Sequence, residues 1–401
     1  VSWLRILFFL VLTLLAATAQ AAESPSPPAA SSVVVGCVFE LTGPRSIDGQ
    51  AALAGVKLAA RKINQSGGVL GRPLRLEVRD AAASMLSLDR LVLDLVQKSN
   101  ATAFVGLLDA TAAQAAGAAA QGLGRLFLCV GATLDGLPES VGPLFFTAAF
   151  DDTTEAEALA SMAASDLGLD KAVLIVDPSM ESWSAFGKKL SESLATRGVQ
   201  VEARLEMVDD GGDLDALTAE IGSRQGPLLL GLASGGPDAV RAVAALRRAG
   251  IDWPAVCGAG MDTANGAPRL GAASGTVYYA AHADYQQPEE LVQLFVQDYT
   301  EQEGHAPVGG PPALGFDAMA LLARAMELAG SSQSEAAAKA LSSVSGYRGV
   351  TGSFSYGPHQ RAPSKPVRIL VSRAGSLETA ENAAPAPAGA ALEKIPDAAA
   401  F

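Results

Sequence analysis

Residues 39–79, FELTGPRSIDGQAALAGVKLAARKINQSGGVLGRPLRLEVR, set a strand end, a turn, a helix, a second turn and a second strand in immediate succession. Thr42-Gly43-Pro44 is turn-prone and closes an apolar strand. The helix that follows carries Leu53, Val56, Ala60 and Ile63 as one stripe, with Lys57, Arg61 and Lys62 toward water. Ser66-Gly67-Gly68 stops it. After Gly71, Leu74, Leu76 and Val78 alternate with Arg75, Glu77 and Arg79, the period of two of a half-buried strand. Units of this kind, repeated, build a parallel sheet whose faces are covered by the crossover helices.

The unit does repeat. Leu88, Leu91, Val92 and Leu95 make a helical stripe, and short buried strands at 103–107 and 126–130 flank an Ala-rich helix at 110–121. Residues 144–148 are strand-like. Asp151-Asp152-Thr153-Thr154 reads as a helix start and opens a second series, with strands at 172–176, 199–205, 228–232 and 255–258 and helices between them. The fold class is therefore α/β, with two Rossmann-like lobes, each cored by a parallel sheet, joined by a hinge. A further strand at 276–281 precedes helices at 289–302, 311–328 and 335–341, and periodicity alone does not assign these to a lobe.

At 401 residues, 49% hydrophobic and 18% charged, the chain can bury a large core and suits two lobes better than one. A net charge of -13 without Lys/Arg clusters argues against a nucleic-acid or membrane-surface partner. Residues 1–22 carry one charge, Arg5, then an apolar run from Ile6 to Leu15, then Ala19 and Ala21, which is the pattern of a secretory signal peptide. That run is shorter than the roughly 20 residues of a membrane span. Residues 23–32 read as a flexible Ser/Pro/Ala segment and 375–401 as a disordered Ala/Pro tail. Cys37, Cys129 and Cys257 lie in apolar strand-like runs, and their odd number leaves either free thiols or one disulfide plus a spare. Val34-Val35-Gly36-Cys37 has the wording of a lipoprotein processing box, but it reads as part of the first buried strand.

The LTGP turn, the Gly49-Gln50 pair, the helix ending in KIN and the following GGVLGRPLRLEVRD resemble the opening of periplasmic substrate-binding proteins of the branched-chain amino-acid (Leu/Ile/Val) type, which serve ABC importers. The resemblance returns at LGFDAMALLARAMELAG (314–330) and GVTGSFSYGPHQRAPSKPVRILV (349–371), and covers most of 33–374. It implies a type I periplasmic binding protein fold, with lobe one at 33–150 plus 280–348 and lobe two at 151–279 plus 349–374. The last strands, 352–356 and 367–371, would then both lie in lobe two. It also implies a periplasmic, monomeric binding protein without cofactor, whose partners are a small-molecule ligand and an ABC permease in the inner membrane. A sensory or accessory role, in which closure signals to a membrane partner, stays open.

No pair among His282, His305 and His359 has the spacing of a helix-borne metal site, and each reads as a surface or loop residue. G-x-S-x-G, P-loop and Rossmann spacings are absent from the sequence, so nothing in it points to a hydrolase or dehydrogenase. Ligands of such α/β folds lie beyond the carboxyl ends of the strands, where loops and helix N-termini offer unpaired N–H groups. That rule selects loops 42–48, 108–111, 131–133, 177–183, 233–236 and 258–262.

Within those loops the resemblance assigns roles. Thr133 stands where relatives bind the carboxylate and amino groups of an amino acid, and Gly131 where a backbone carbonyl helps. Ala110 replaces a serine, with Thr111 beside it as a substitute or as a helix cap. Asp48 stands at an aromatic position of the first loop. Trp183, or Ser182 beside it, takes the aromatic position of the second lobe, and surface or hinge packing is the other reading of Trp183. Ser234 and Gly235 replace another aromatic. The acid that pairs with the ligand ammonium aligns with Gly260, leaving Asp262 as its neighbour, and an ammonium buried without a partner is costly. Two ligand classes follow: an aliphatic amino acid, or a carboxylate, amide or other small organic solute.

Overall fold

The structure is a computed structural model that describes residues 32–82, 88–207, 213–271, 274–373 and 376–380. The expected signal peptide, almost all of the flexible segment and most of the tail lie outside the described residues.

The first lobe is laid down in chain order as β1 (Val33–Phe39), α1 (Ser46–Gln65), β2 (Leu74–Asp80), α2 (Leu88–Ser99), β3 (Ala103–Gly106), α3 (Ala110–Gly122), β4 (Leu126–Cys129), the short α4 (Leu137–Val141) and β5 (Phe145–Thr147). These five strands form one parallel sheet in the order β2-β1-β3-β4-β5. Every residue of β1 is buried, including Cys37, which agrees with a strand and not a processing box. The stripe Leu53, Val56, Ala60 and Ile63 packs under the sheet in the first core.

The second lobe follows as α5 (Asp152–Ser161), β6 (Lys171–Val176), α6 (Glu181–Thr196), β7 (Gln200–Glu206), α7 (Asp213–Gly222), β8 (Leu229–Ala233), α8 (Gly236–Arg248), β9 (Ala255–Cys257) and β10 (Thr276–Ala281). The chain then supplies α9 (Glu290–Glu303), α10 (Pro311–Ala329), α11 (Ser334–Leu341), β11 (Tyr347–Gly349), β12 (Gly352–Gly357), β13 (Gln360–Ser364), β14 (Arg368–Arg373) and β15 (Ser376–Thr379). The second sheet runs β15-β14-β10-β9-β8-β6-β7, parallel except where β14 pairs antiparallel with β10 and β15.

Helices α10 and α11 close the underside of the first sheet. α10 lies unusually close to α1, since a Cβ on Gly55 would collide with the Pro312 carbonyl and one on Gly315 with that of Ala52. Glycine at both positions lets the two backbones touch.

Two expectations are corrected. β12 does not join the second sheet: it sits in a small antiparallel sheet with β11 and β13, its Phe354 and Tyr356 fill the first core, and the Tyr356 hydroxyl donates to the Thr147 carbonyl at 2.7 Å. The reason is its alternation, since Phe354 and Tyr356 point together into a core that α10 leaves open at that end. Residues 376–379, expected within the disordered tail, form β15 and pair antiparallel with β14. All three cysteines are free and buried in separate strands, so the disulfide alternative falls.

The described chain passes between lobes three times, between β5 and α5, between β10 and α9, and between β13 and β14. Buried polar groups cluster at these crossings. Asp317 accepts from the N–H groups of Val350 and Thr351 at 2.8 Å each and from the Thr351 hydroxyl at 2.7 Å. Lys365 donates to Thr351 Oγ1 at 2.6 Å and lies 4.4 Å over the Phe354 ring. Burial pushes its ammonium down to about 7 against the opposing pull of Asp317.

Candidate functional site

A cavity of about 410 Å³ opens between the lobes. It lies beyond the carboxyl ends of both sheets, where the fold leaves loop N–H and C=O groups unpaired. Nine of the eleven residues singled out from the sequence line it: Asp48, Ala110, Gly131 and Thr133 from lobe one, and Ser182, Trp183, Gly235, Gly260 and Asp262 from lobe two.

Thr111 and Ser234 are not on its wall. Thr111 is turned to solvent on the first turn of α3, whose cap is Asp109, with Oδ1 accepting from the Ala112 N–H at 2.8 Å. Thr111 therefore neither caps the helix nor replaces the missing serine. Ser234 is buried, and its hydroxyl turns to the Gly235 carbonyl at 3.4 Å.

Why position 260 lacks an acid is visible in the packing. A Cβ there would stand 2.9 Å from Trp183 Cη2 and 2.7 Å from the Ser234 carbonyl oxygen. The indole has taken the space of the missing side chain, so Trp183 is a cavity-wall residue packed on a glycine. Asp262 does not replace that acid either. It is 4% exposed, its Oδ2 accepts from the His282 N–H at 2.6 Å, and its carbonyl accepts from Gly310 at 2.9 Å. Burial raises its pKa well above the carboxylate range despite those hydrogen bonds. It is a fastening at the crossing after β10.

His282 is a loop residue, as the sequence reading allowed, but a buried one, stacked on Phe150 with ring centroids 3.9 Å apart. Desolvation, helped by the charge of Lys365, keeps it neutral by lowering its pKa well below the usual histidine value.

The acids that sequence reasoning missed lie on α5. Asp151 caps that helix, Oδ1 accepting from the Thr154 N–H at 2.8 Å. Asp152 and Glu155, the next acids along it, line the cavity and are 3% and 2% exposed. Glu155 Oε1 accepts from the Ala259 N–H at 2.6 Å, while Asp152 Oδ2 is buried without a hydrogen-bond partner. Desolvation pushes Asp152 up to about 7, against a hydrogen bond from the Thr133 hydroxyl, with Asp135 and Asp151 adding to the rise and Lys189 opposing it. Glu155 is raised well above the carboxylate range by burial and by the charge of Asp152. The DDTTEAE run carried a signal, since three acids in five positions exceed what one helix cap requires.

Contacts also cross the cleft. The Ala264 N–H of lobe two reaches Asp48 Oδ1 of lobe one at 3.4 Å, and Arg45 Nη2 lies 3.4 Å from Met180 Sδ. Arg45 is anchored to Asp109 by a 2.6 Å ion pair.

No curated protein matches this sequence significantly. Among solved structures, the branched-chain amino acid transporter substrate-binding protein LivJ of Streptococcus pneumoniae, in complex with isoleucine, superimposes with a TM-score of 0.77 at 22% identity, over 87% of this chain and 98% of that one. The leucine-binding protein LivK of Thermotoga maritima gives 0.76 at 20% identity, over 87% and 97%. A solute-binding protein of an ABC transporter from R. palustris, in complex with benzoate, gives 0.74 at 19% identity, over 90% and 98%. At these identities the structures establish the shared fold. The sequence model of the family described as periplasmic binding protein matches residues 32–376. A match that runs through both lobes and every loop of the cleft makes this chain a member of the periplasmic binding protein family.

Proposed function

We propose that this chain is the solute-binding component of an ABC importer, acting in the periplasm as a monomer and presenting its cargo to an inner-membrane permease. The observation that carries this reading is the interlobe cavity, walled by strand-end loops of both sheets and bordered by three chain crossings. Such a cleft closes over a ligand that touches both walls, and the closed form is favoured by the contacts the ligand adds. The similar structures in complex with isoleucine or benzoate, and the leucine-binding protein, support a small polar solute as cargo. Thr133 and Gly131 on one wall and Trp183 on the other are the contacts assigned to it. The mechanism is binding, with no bond made or broken.

The test is a thermal-shift screen of the purified protein against amino acids, amines, carboxylates and amides, followed by small-angle X-ray scattering of each hit. A ligand of the folded state raises Tm, and lobe closure lowers the radius of gyration. A hit that raises Tm without compaction would count against the hinge mechanism; no hit in any class would count against the binding role.

A further inference from the structure

Three turns that face the cleft could each hold an anion on free N–H groups, and in each the chain has placed its own carboxylate there. Asp109 takes the Ala112 N–H at the start of α3, Asp151 the Thr154 N–H at the start of α5, and Asp177 the Ser179 N–H before α6, all at 2.8 Å. Arg45, the one cationic side chain on the described wall, is already paired with Asp109. What the wall offers instead is acceptors. Asp152 Oδ2 is buried and unpartnered, Glu155 is 98% buried beside it on the same helix, and the charges acting on Glu155 are those of Asp152, Asp262 and Asp151, all acidic. Carboxyl groups taken out of water without a cation are costly, and the cost falls when one arrives. Phe186 packs next to Glu155, since a Cβ on Gly258 would touch both at 2.7–2.8 Å, and Trp183 lines the same cavity, so aromatic surface adjoins the acids.

We propose that the cleft selects a small organic cation without a free carboxylate, an amine, amidine or guanidinium compound, held by Asp152 and Glu155. This rests on the reading of the cleft as the solute site. It differs from an amino-acid ligand in one respect: seven acidic residues line the described wall against one cationic side chain, Arg45, so a ligand carboxylate meets a surface of its own sign. The raised pKa values of both acids fit, because an entering cation makes their charged forms favourable again. The cavity of about 410 Å³ suits a compact solute.

The test uses a matched trio that differs only in charge: 3-methylbutylamine, leucine and 4-methylpentanoate, with agmatine as a guanidinium probe and calcium chloride as an inorganic one. Calorimetry at pH 8 on the purified protein is expected to show the amine or agmatine binding at least tenfold more tightly than leucine and the carboxylate. D152N and E155Q should each weaken that binding at least tenfold while circular dichroism shows the native fold. D109S keeps a capping hydroxyl and frees Arg45 from its ion pair, and should gain 4-methylpentanoate binding. Leucine or the carboxylate binding as tightly as the amine overturns the inference and leaves the solute-binding reading standing. So does calcium alone, or silence of every cation while another solute class closes the lobes. Silence of every solute overturns both.

Discussion

The backbone N–H of Asp152 donates to the carbonyl of Thr133 at 2.8 Å. The loop that ends the first sheet's β4 is thereby tied to the first turn of α5, the helix that begins lobe two. Asp135 strengthens the tie, taking the Thr153 N–H at 3.0 Å and Lys189 at 3.1 Å. The firmest sequence-assigned contact and the acid that sequence reasoning overlooked thus form one structural unit.

Thr133→Ala should weaken ligand binding by about fivefold, the worth of one hydrogen bond of roughly 1 kcal/mol. The backbone tie to Asp152 is untouched, but the hydroxyl's bond to the Asp152 carboxyl is lost, so the melting temperature of the free protein should fall by a few degrees. Calorimetry and thermal unfolding check the two halves separately.

Asp152 makes stability depend on pH. Its folded pKa of about 7 lies above the unfolded carboxylate value, so between about pH 4 and 7 the folded state holds a proton that the unfolded chain releases. Its contribution is therefore most favourable at the acid end, declines as pH rises through this window, and is lost above it. In Asp152→Asn the charges of Asp135, Asp151 and Lys189 stay in place, while Glu155 loses the Asp152 charge that helps raise it. That variant should flatten the profile and gain on the order of 2–4 kcal/mol at pH 8, measured by urea unfolding across pH.

Asp317→Asn should cost about 3 kcal/mol, because it leaves the Lys365 ammonium buried without its counter-charge. Lys365→Met should cost a similar amount by stranding Asp317. The double variant should cost clearly less than the sum, and a denaturation double-mutant cycle reads the coupling.

Gly315→Ala drives a methyl group into the Ala52 carbonyl of α1. The two helices must separate, costing about 1–3 kcal/mol or more. Thermal unfolding should show the loss, while the loops of lobe two keep their geometry.

The three thiols should be inert in the native state. Each is buried, and desolvation pushes Cys129 and Cys257 up to about 12 and Cys37 higher still. A thiol reagent at pH 8 should titrate none of them until denaturant is added, and all three afterwards.

Much of the fold was legible because its elements are written locally. The stripe Leu53, Val56, Ala60 and Ile63 and the alternation of Leu74, Leu76 and Val78 depend only on near neighbours, and both lobes repeat that wording. The strand-end rule likewise picked loops that come together, and nine of the residues named in them line one cavity. Thr111 and Ser234 went astray by one or two positions, since which way a loop side chain turns is set by its backbone angles and caps, here Asp109.

The sequence by itself determined the α/β class, the two-lobe division, the order of nearly every helix and strand, and the loops that could bear a ligand, because periodicity and turn chemistry act over a few residues. Only the tertiary structure decided that β12 belongs with the first lobe, that Trp183 fills the space a side chain at 260 would need, and that Asp152 and Glu155 sit buried on the cleft wall beside Thr133. Those facts rest on contacts between segments tens to hundreds of residues apart, and on desolvation, which depends on what surrounds a group and not on what precedes it in the chain.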